Sequence, residues 1–278
     1  MLGTAFPAQR ILLVEQPGAW GRDGLTQSRF DPVVARAVIK RAGDLGIRVL
    51  VMRRPGRTPA GQPRAWALAD CRAGREAIRW GTFGADSELL DLPLDGTAGA
   101  ADRRTFFLVC AHSKHDTCCA LRGRPVAAAL HDERPGQVWE CSHVGGERFA
   151  ANVLVLPDGL LYGRVLPFAA PEFVAAAERG EVIGALLRGR VGLPPVAQAA
   201  LAYAYEHLAL RRADALRVES TGAVAGGVAA VILAGPHGRV QVTVQIERVP
   251  ADGLTCANPG ASWYQAYRPV SVIALDGP

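Results

Sequence analysis

The most informative feature of the sequence is a concentration of cysteine and histidine between positions 110 and 143. Four of the six cysteines and four of the six histidines of the 278-residue chain lie there. Thiolates and imidazoles are the ligands that suit zinc, copper and iron–sulfur clusters. In a chain of this size without an export signal, such clustering favours metal or redox chemistry over a disulfide framework. The residues concerned are Cys110, Cys118, Cys119, Cys141, His112, His115, His131 and His143.

These residues fall into two segments, each of which follows a predicted strand. The apolar run 105–109 leads directly into segment 110–119, and the run 138–140 leads into segment 141–149. Loops that follow two neighbouring parallel strands meet at one edge of a sheet, so we expect the segments to form one site. Gly145 and Gly146 in the second segment allow the backbone to turn closely around a bulky group.

The elements around the two segments predict an α/β fold. Residues 11–14 and 47–52 are predicted buried strands, and Asp31-Pro32 begins a helix between them, so the strands pair in parallel. After the cysteine-rich segment we expect a short helix at 124–130. The turn Pro157-Asp158-Gly159 lies between two apolar runs and predicts a hairpin.

The C-terminal part is predicted to contain two helices, at 171–187 and 194–216, and four strands. The strands are expected at 217–219, 229–234, 239–249 and 270–275, with a hairpin turn at 235–238. These elements are expected to pack against the preceding sheet or to extend it. The two N-terminal parts repeat each other weakly, because each begins with a buried strand that ends at a distinctive loop. The predicted organisation is an N-terminal α/β half (1–95), a linker (95–102), a cluster domain (103–168) and a C-terminal region (169–278).

Composition and charge argue against several function classes. The net charge of +5 is dispersed, without the long basic run of a nucleic-acid arm, so we expect no nucleic-acid partner. A mild positive charge can steer an acidic protein partner. Residues 1–9 lack the pattern of a signal peptide, and the apolar run 224–234 is too short to cross a bilayer. We therefore expect a cytoplasmic protein without membrane insertion.

Several motifs, in this order, resemble the sucrase/ferredoxin-like family, which includes the fungal actin-patch-distribution proteins. The N-terminal motif is LVEQPGAWG at 13–21. The others run through most of the first 165 residues, and they are FLVCAH (107–112), DTCC (116–119), GRP (123–125), SHVGG (142–146), RFA (148–150), LPDG (156–159) and YGR (162–164).

The resemblance implies a thioredoxin-like ferredoxin domain that holds a [2Fe–2S] cluster. In the fungal members two cysteines hold one iron and two histidines hold the other; the cysteines correspond to Cys110 and Cys119, and the first histidine to His143. The second histidine would stand at position 147, where this chain has Glu147. Four residues could supply the missing fourth ligand, and these are Cys141, which we place first, and Glu147, Cys118 and Cys256.

The function expected from this resemblance is single-electron transfer between a flavin-dependent reductase and an acceptor that the sequence does not identify. Such a protein is a redox carrier rather than an enzyme with its own substrate. Two alternatives stay open: a thiol-redox enzyme that uses Cys118 or Cys119, and a zinc-binding structural or sensor module. His112 and His115 are expected to lie around the site or at the surface, and from a place around the site they could hydrogen-bond its sulfurs. The sequence does not predict the oligomeric state.

Overall fold

The computed structural model describes residues 1–56, 61–255 and 260–275. Its main feature is a ten-stranded sheet in the order β10-β9-β8-β6-β7-β2-β1-β3-β4-β5. The strands of this sheet are β1 Arg10–Glu15, β2 Ile47–Arg53, β3 Arg64–Asp70, β4 Ala77–Phe83, β5 Ala100–Asp102, β6 Phe106–Cys110, β7 Val138–Cys141, β8 Val153–Leu156, β9 Leu160–Tyr162 and β10 Leu187–Arg190. Within the described residues the α-helices are α1 Pro32–Asp44, α2 Thr117–Glu133, α3 Ala170–Glu178 and α4 Pro195–His207.

The large sheet consists of two halves with the same topology. In the first half β1 and β2 are parallel and joined by α1, and β3 and β4 follow as antiparallel neighbours in the order β4-β3-β1-β2. In the second half β6, α2, β7, β8 and β9 repeat this arrangement in the order β9-β8-β6-β7. This is the thioredoxin-like arrangement. The expected α/β class is confirmed, and the strand order gives both halves a thioredoxin-like topology.

The two halves meet through the tips of β2 and β7. These strands pair antiparallel over only two residues on each side, with Met52 opposite Cys141. The backbone N–H of Ser142 donates to the Val51 carbonyl at 2.8 Å, and the Ser142 hydroxyl accepts from the Val51 N–H at 3.1 Å. The short pairing brings the carboxyl ends of β1, β2, β6 and β7 to one place, where open α/β sheets commonly bind their ligands.

The first helix forms where its sequence signals predict. The Asp31 carboxylate accepts from the backbone N–H of Val33 at 2.7 Å and Val34 at 3.1 Å, and Pro32 occupies the first helical position. Helix α1 buries one face on the sheet.

Helix α2 begins earlier than the sequence predicts. The prediction placed its start near Pro125, but the helix begins at Thr117 after the N-cap Asp116, and Pro125 lies inside it. The Asp116 side chain accepts from the backbone N–H of Cys118 at 2.8 Å. The Asp116 cap therefore starts the helix about two turns before the predicted residue 124, and Cys119 lies in the first helical turn rather than in a loop.

The C-terminal helices are shorter than predicted. A helix was predicted over 171–187, but the observed helix ends at Glu178. Leu187 instead begins β10 at the edge of the large sheet. A helix was predicted over 194–216, but the observed helix ends at His207. Helix α4 packs on a second, antiparallel sheet, which has the order β11-β12-β13-β14. Its strands are β11 Arg217–Thr221, β12 Val228–Gly235, β13 Gly238–Asp252 and β14 Ala261–Leu275.

The segment predicted as a linker also belongs partly to the sheet, since β5 pairs with β4 at its edge. The domain boundaries proposed at 95, 103 and 168 stay predictions. Among the described residues, no helix is long and apolar enough to cross a membrane.

Gly123 permits the close packing of α2 on β6. A Cβ at this position would overlap the Cys110 carbonyl oxygen. We expect Gly123→Ala to lower the free energy of unfolding by about 1–3 kcal/mol, because α2 must move away from β6. Gly43→Ala in α1 is the matched control: nothing lies within 4 Å of its Cβ, so it should leave stability unchanged or raise it by up to about 1 kcal/mol. Equal effects in urea unfolding would contradict this packing constraint.

Candidate metal centre

Three of the predicted ligands lie together. The Nδ1 atom of His143 is 4.0 Å from the Cys110 sulfur and 3.9 Å from the Cys119 sulfur, and the three donor atoms are all within 4.8 Å of one another. Both cysteines are buried, and the His143 side chain is 15% exposed. The arrangement is a sheltered set of two thiols and one imidazole whose rim is open to solvent.

The fold explains why these donors meet. Cys110 is the last residue of β6, and His143 follows the end of the parallel neighbour β7. Cys119 lies in the first turn of α2, which leaves the same edge of the sheet. The expectation that the segments after β6 and β7 converge is therefore confirmed, whereas the ligand roles of the three residues stay predictions.

A hydrogen bond between the two thiols moves their pKa values in opposite directions. A hydrogen bond from Cys119 holds the pKa of Cys110 well below its usual range, and His143 adds to this effect against the opposing effect of burial. The same bond to Cys110, together with burial, raises the pKa of Cys119. Cys110 is therefore the more acidic of the two thiols, and a bound metal ion would stabilise both sulfurs as thiolates.

Glu147 contacts the other nitrogen of His143. Its Oε1 lies 3.2 Å from Nε2, which leaves Nδ1 directed at the thiols. The hydrogen bond with His143 lowers the pKa of Glu147 to about 2. Burial lowers the pKa of His143, but hydrogen bonds with Cys110 and Glu147 outweigh it and raise the pKa to about 9. A carboxylate on the distal nitrogen is a common way to orient a metal-binding histidine.

His115 lies against the outer face of His143. Their ring centroids are 3.9 Å apart with an interplanar angle of 22°, and the Nε2 atom of His115 is 4.0 Å from Glu147 Oε1. His115, His143 and Glu147 thus form a second group of possible metal ligands, which shares His143 with the first. The sequence predicted that His115 would be near the site but did not indicate this pairing.

His112 has a structural part in the site. Its Nε2–H donates to the Gly21 carbonyl at 2.6 Å, and its Nδ1 accepts from the backbone N–H of His143 at 3.3 Å. Because both ring nitrogens are engaged, His112 positions the loop that carries His143. The bond to Gly21 ties this loop to the one after β1, so both halves of the sheet build the site.

We call Cys110, Cys119 and His143 the three-donor group. The other predicted ligands lie outside it. Cys141, the last residue of β7, is buried in register with Cys110, and burial raises the pKa of its thiol. Cys118 is half-buried in the first turn of α2, is disulfide-bonded and belongs to neither ligand group. Cys256 lies outside the described residues. A ligand role for these three residues stays a prediction.

A buried arginine that the sequence analysis missed supports the glycine turn. The Nη1 atom of Arg188, in β10, donates to the Gly145 carbonyl at 2.8 Å and to Asn152 Oδ1 at 2.9 Å, and its Nη2 donates to the Thr4 carbonyl at 2.6 Å. Burial lowers the pKa of Arg188 to about 10. Gly146, at φ +72°, leaves the space that the guanidinium occupies. Because a helix was predicted over 171–187, the edge strand that carries Arg188 was not expected.

A second arginine that the sequence did not indicate as part of the site lies in the first half of the sheet. Arg48, in β2, donates from Nη2 to the His143 carbonyl at 3.1 Å, and its guanidinium lies 4.5 Å above the Phe6 ring. Arg48 and Arg188 therefore hold opposite ends of segment 143–145. Both bring positive charge near the thiols, which favours their thiolate forms.

Comparison with known proteins identifies the family. The sequence model for sucrase/ferredoxin-like proteins matches residues 1–189, more than half of the chain, so the chain belongs to the sucrase/ferredoxin-like family. It is similar to altered inheritance of mitochondria protein 32, with 31% identity over 104 residues to the protein of Saccharomyces kudriavzevii and 28% over 103 residues to that of Candida glabrata. Each match covers 32% of this chain and spans 33% of the relative's length.

Among solved structures, the chain is similar to a thioredoxin-like [2Fe–2S] ferredoxin from Aquifex aeolicus. The two share 23% sequence identity with a TM-score of 0.29, over 34% of this chain and 97% of the ferredoxin. This likeness is too distant to support a conclusion about the site, so the assignment of the halves rests on their strand order.

The contact between His143 and Glu147 gives a pH-dependent prediction for the metal-free protein. Because the pKa of His143 is raised to about 9, its contribution to stability is complete below its ordinary value of 6.5 and is lost as the pH rises through about 9. Glu147→Gln should move the pKa of His143 down from about 9 toward 6.5, as measured by NMR titration of the imidazole. Glu219→Gln, in the second sheet, is the control, and an unchanged His143 pKa in Glu147→Gln would contradict the pairing.

The buried guanidinium of Arg188 gives a stability prediction. We expect Arg188→Met to lower the free energy of unfolding by about 3 kcal/mol or more, because several buried acceptors lose their donor. The exposed Arg211 provides the control, since Arg211→Met should change stability by no more than about 0.5 kcal/mol. Chemical denaturation of both variants measures the difference, and equal stabilities would show that Arg188 does not brace the turn.

Proposed function

We propose that this protein is an electron carrier that binds a [2Fe–2S] cluster with mixed cysteine and histidine ligands. The observation that carries the proposal is the convergence of the Cys110 and Cys119 sulfurs with His143 Nδ1 at the carboxyl edge of a thioredoxin-like half. Membership of the sucrase/ferredoxin-like family supports the same assignment. The proposal includes the compartment and the partners: a cytoplasmic protein that exchanges electrons with a flavin-dependent reductase and a protein acceptor.

The residues present suit such a cluster. Thiolates are the usual ligands of [2Fe–2S] iron, and imidazoles replace two of them in centres of the Rieske type. Cys110 and Cys119 would hold one iron, and His143 would bind the other through Nδ1. When bound, the cluster supplies a one-electron redox step.

The protein would perform three tasks around the cluster. Burial of Cys110 and Cys119 excludes water from the sulfurs. Glu147 fixes the orientation of His143 by accepting from its Nε2–H. The rings of His143 and His115 line an open cleft of about 490 Å³ between the site and the first half of the sheet, which gives a partner access to the imidazole edge of the site.

The cleft has features of a protein contact surface. Leu25 and Ile39 provide apolar walls, and Arg22 adds positive charge at the rim. With a net charge of +5, the chain would attract an acidic redox partner over a longer range.

A second candidate function is a site for a single metal ion, as in a zinc module. It is favoured by the donor separations of 3.9 and 4.0 Å, because ligands around one tetrahedral zinc lie roughly 3.5–3.8 Å apart at ordinary bond lengths. Such a protein would be colourless with zinc and would lack acid-labile sulfide.

The deciding measurement is the visible spectrum of anaerobically purified protein, with iron, sulfide and zinc determined on the same sample. We expect a red-brown protein with about two irons and two sulfides per chain. Cys110→Ser, Cys119→Ser and His143→Ala should each lose most of this iron. The buried thiol Cys71 lies outside both ligand groups, so Cys71→Ser is the matched control and should keep the iron. Zinc without sulfide, or a colourless protein that fails reconstitution, would refute the cluster.

A further inference from the structure

A [2Fe–2S] cluster takes four protein ligands, and the three-donor group supplies three of them. The fourth must be a residue whose donor atom is near the group and is not already committed elsewhere. The identity of that ligand in this chain rests on the proposed function.

Two neighbouring side chains are already committed. The ring nitrogens of His112 are bonded to the Gly21 carbonyl and to the backbone N–H of His143. Glu147 contacts the Nε2 edge of His143, whereas the thiols face the Nδ1 edge. Since the two nitrogens of an imidazole point in strongly divergent directions, this carboxylate is placed to orient His143 rather than to share its iron.

Among the described residues, the ring nitrogens of His115 do not make comparably short hydrogen bonds. Its Nδ1 is 3.4 Å from the Arg22 carbonyl, at the long limit of a hydrogen bond, and its side chain is 34% exposed. The ring is nearly parallel to that of His143, at 3.9 Å between centroids. Two imidazoles of like orientation therefore stand side by side at the rim of the site, and each has its Nε2 near Glu147 Oε1, at 3.2 Å for His143 and 4.0 Å for His115.

The loop that carries His115 also suits this role. Its neighbours Ser113 and Lys114 are exposed, whereas Cys110 and Cys119 at the ends of the segment are buried in the core. A small shift of the exposed part of the loop would therefore move the imidazole without disturbing the two sulfurs.

We propose that His115 is the fourth ligand, so that His115 and His143 together hold the iron that the cysteines do not. In this arrangement Glu147 is a positioning residue that accepts from the Nε2–H of both imidazoles. Cys141 remains a packed thiol in β7 and takes no part in ligation.

The test compares His115→Ala and His115→Cys with the unmodified protein. Nitrogen ligands are counted by pulsed electron paramagnetic resonance of the reduced cluster, and iron and sulfide are measured on the same samples. We expect two imidazole nitrogens in the unmodified protein. His115→Ala should show one nitrogen and lose iron at least about tenfold faster. His115→Cys should retain iron and sulfide, with one nitrogen coupling and a shifted visible spectrum, because a thiolate replaces the imidazole.

Three further variants separate ligation from indirect effects. Glu147→Gln should keep both nitrogen couplings, Cys141→Ala should keep the iron, and the exposed His207→Ala should match the unmodified protein. The proposal is overturned if His115→Ala has the same nitrogen count and iron retention as the unmodified protein. It is also overturned if Cys141→Ala or Glu147→Ala, rather than His115→Ala, releases the iron. An unmodified protein without iron and sulfide after reconstitution would refute the cluster itself, and the ligand assignment with it.

Discussion

The short antiparallel contact between β2 and β7 is the constraint on which the rest of the structure depends. Each thioredoxin-like half has loops at the carboxyl ends of its parallel strands, and a half by itself leaves that edge open. Pairing of the strand tips at Met52 and Cys141 sets the two edges against each other. The Arg53–Glu140 ion pair, with both side chains largely buried, lies beside this pairing. The candidate metal centre is therefore shared by two halves, although its three donors come from one.

The first half contributes support rather than ligands. Gly21 accepts from His112, and Arg48 donates to the carbonyl of His143, so the segment after β7 is held from the opposite half of the sheet. Arg188 holds the same segment from the edge strand β10. Two arginine donors and the His112 acceptor, from distant parts of the chain, thus converge on a single irregular loop. A side chain on a loop is usually free to change its orientation. These hydrogen bonds restrict the orientation of His143.

The electrostatics of the site follow from the same packing. Burial by itself would keep both thiols protonated and His143 neutral. The contacts between Cys110, Cys119, His143 and Glu147 reverse this tendency for Cys110 and His143: they lower the pKa of the Cys110 thiol and raise the pKa of His143 to about 9. A metal ion that binds there displaces protons from the thiol and the imidazole, and this couples metal affinity to pH.

The sequence by itself determined the α/β class, the parallel pairing of the strands on either side of α1, the hairpin at Pro157-Asp158-Gly159 and the convergence of the segments that follow β6 and β7, whereas the family resemblance singled out Cys110, Cys119 and His143 within them. These features depend on local signals: apolar runs of strand length, capping and turn residues, and the rule that loops after parallel neighbours share an edge. Only the tertiary structure decided that Glu147 orients His143, that His115 stacks on it and that Arg188 supports the glycine turn. These contacts join residues from separate elements, and their geometry depends on how strand tips and edge strands pair. No short pattern in the sequence encodes that pairing.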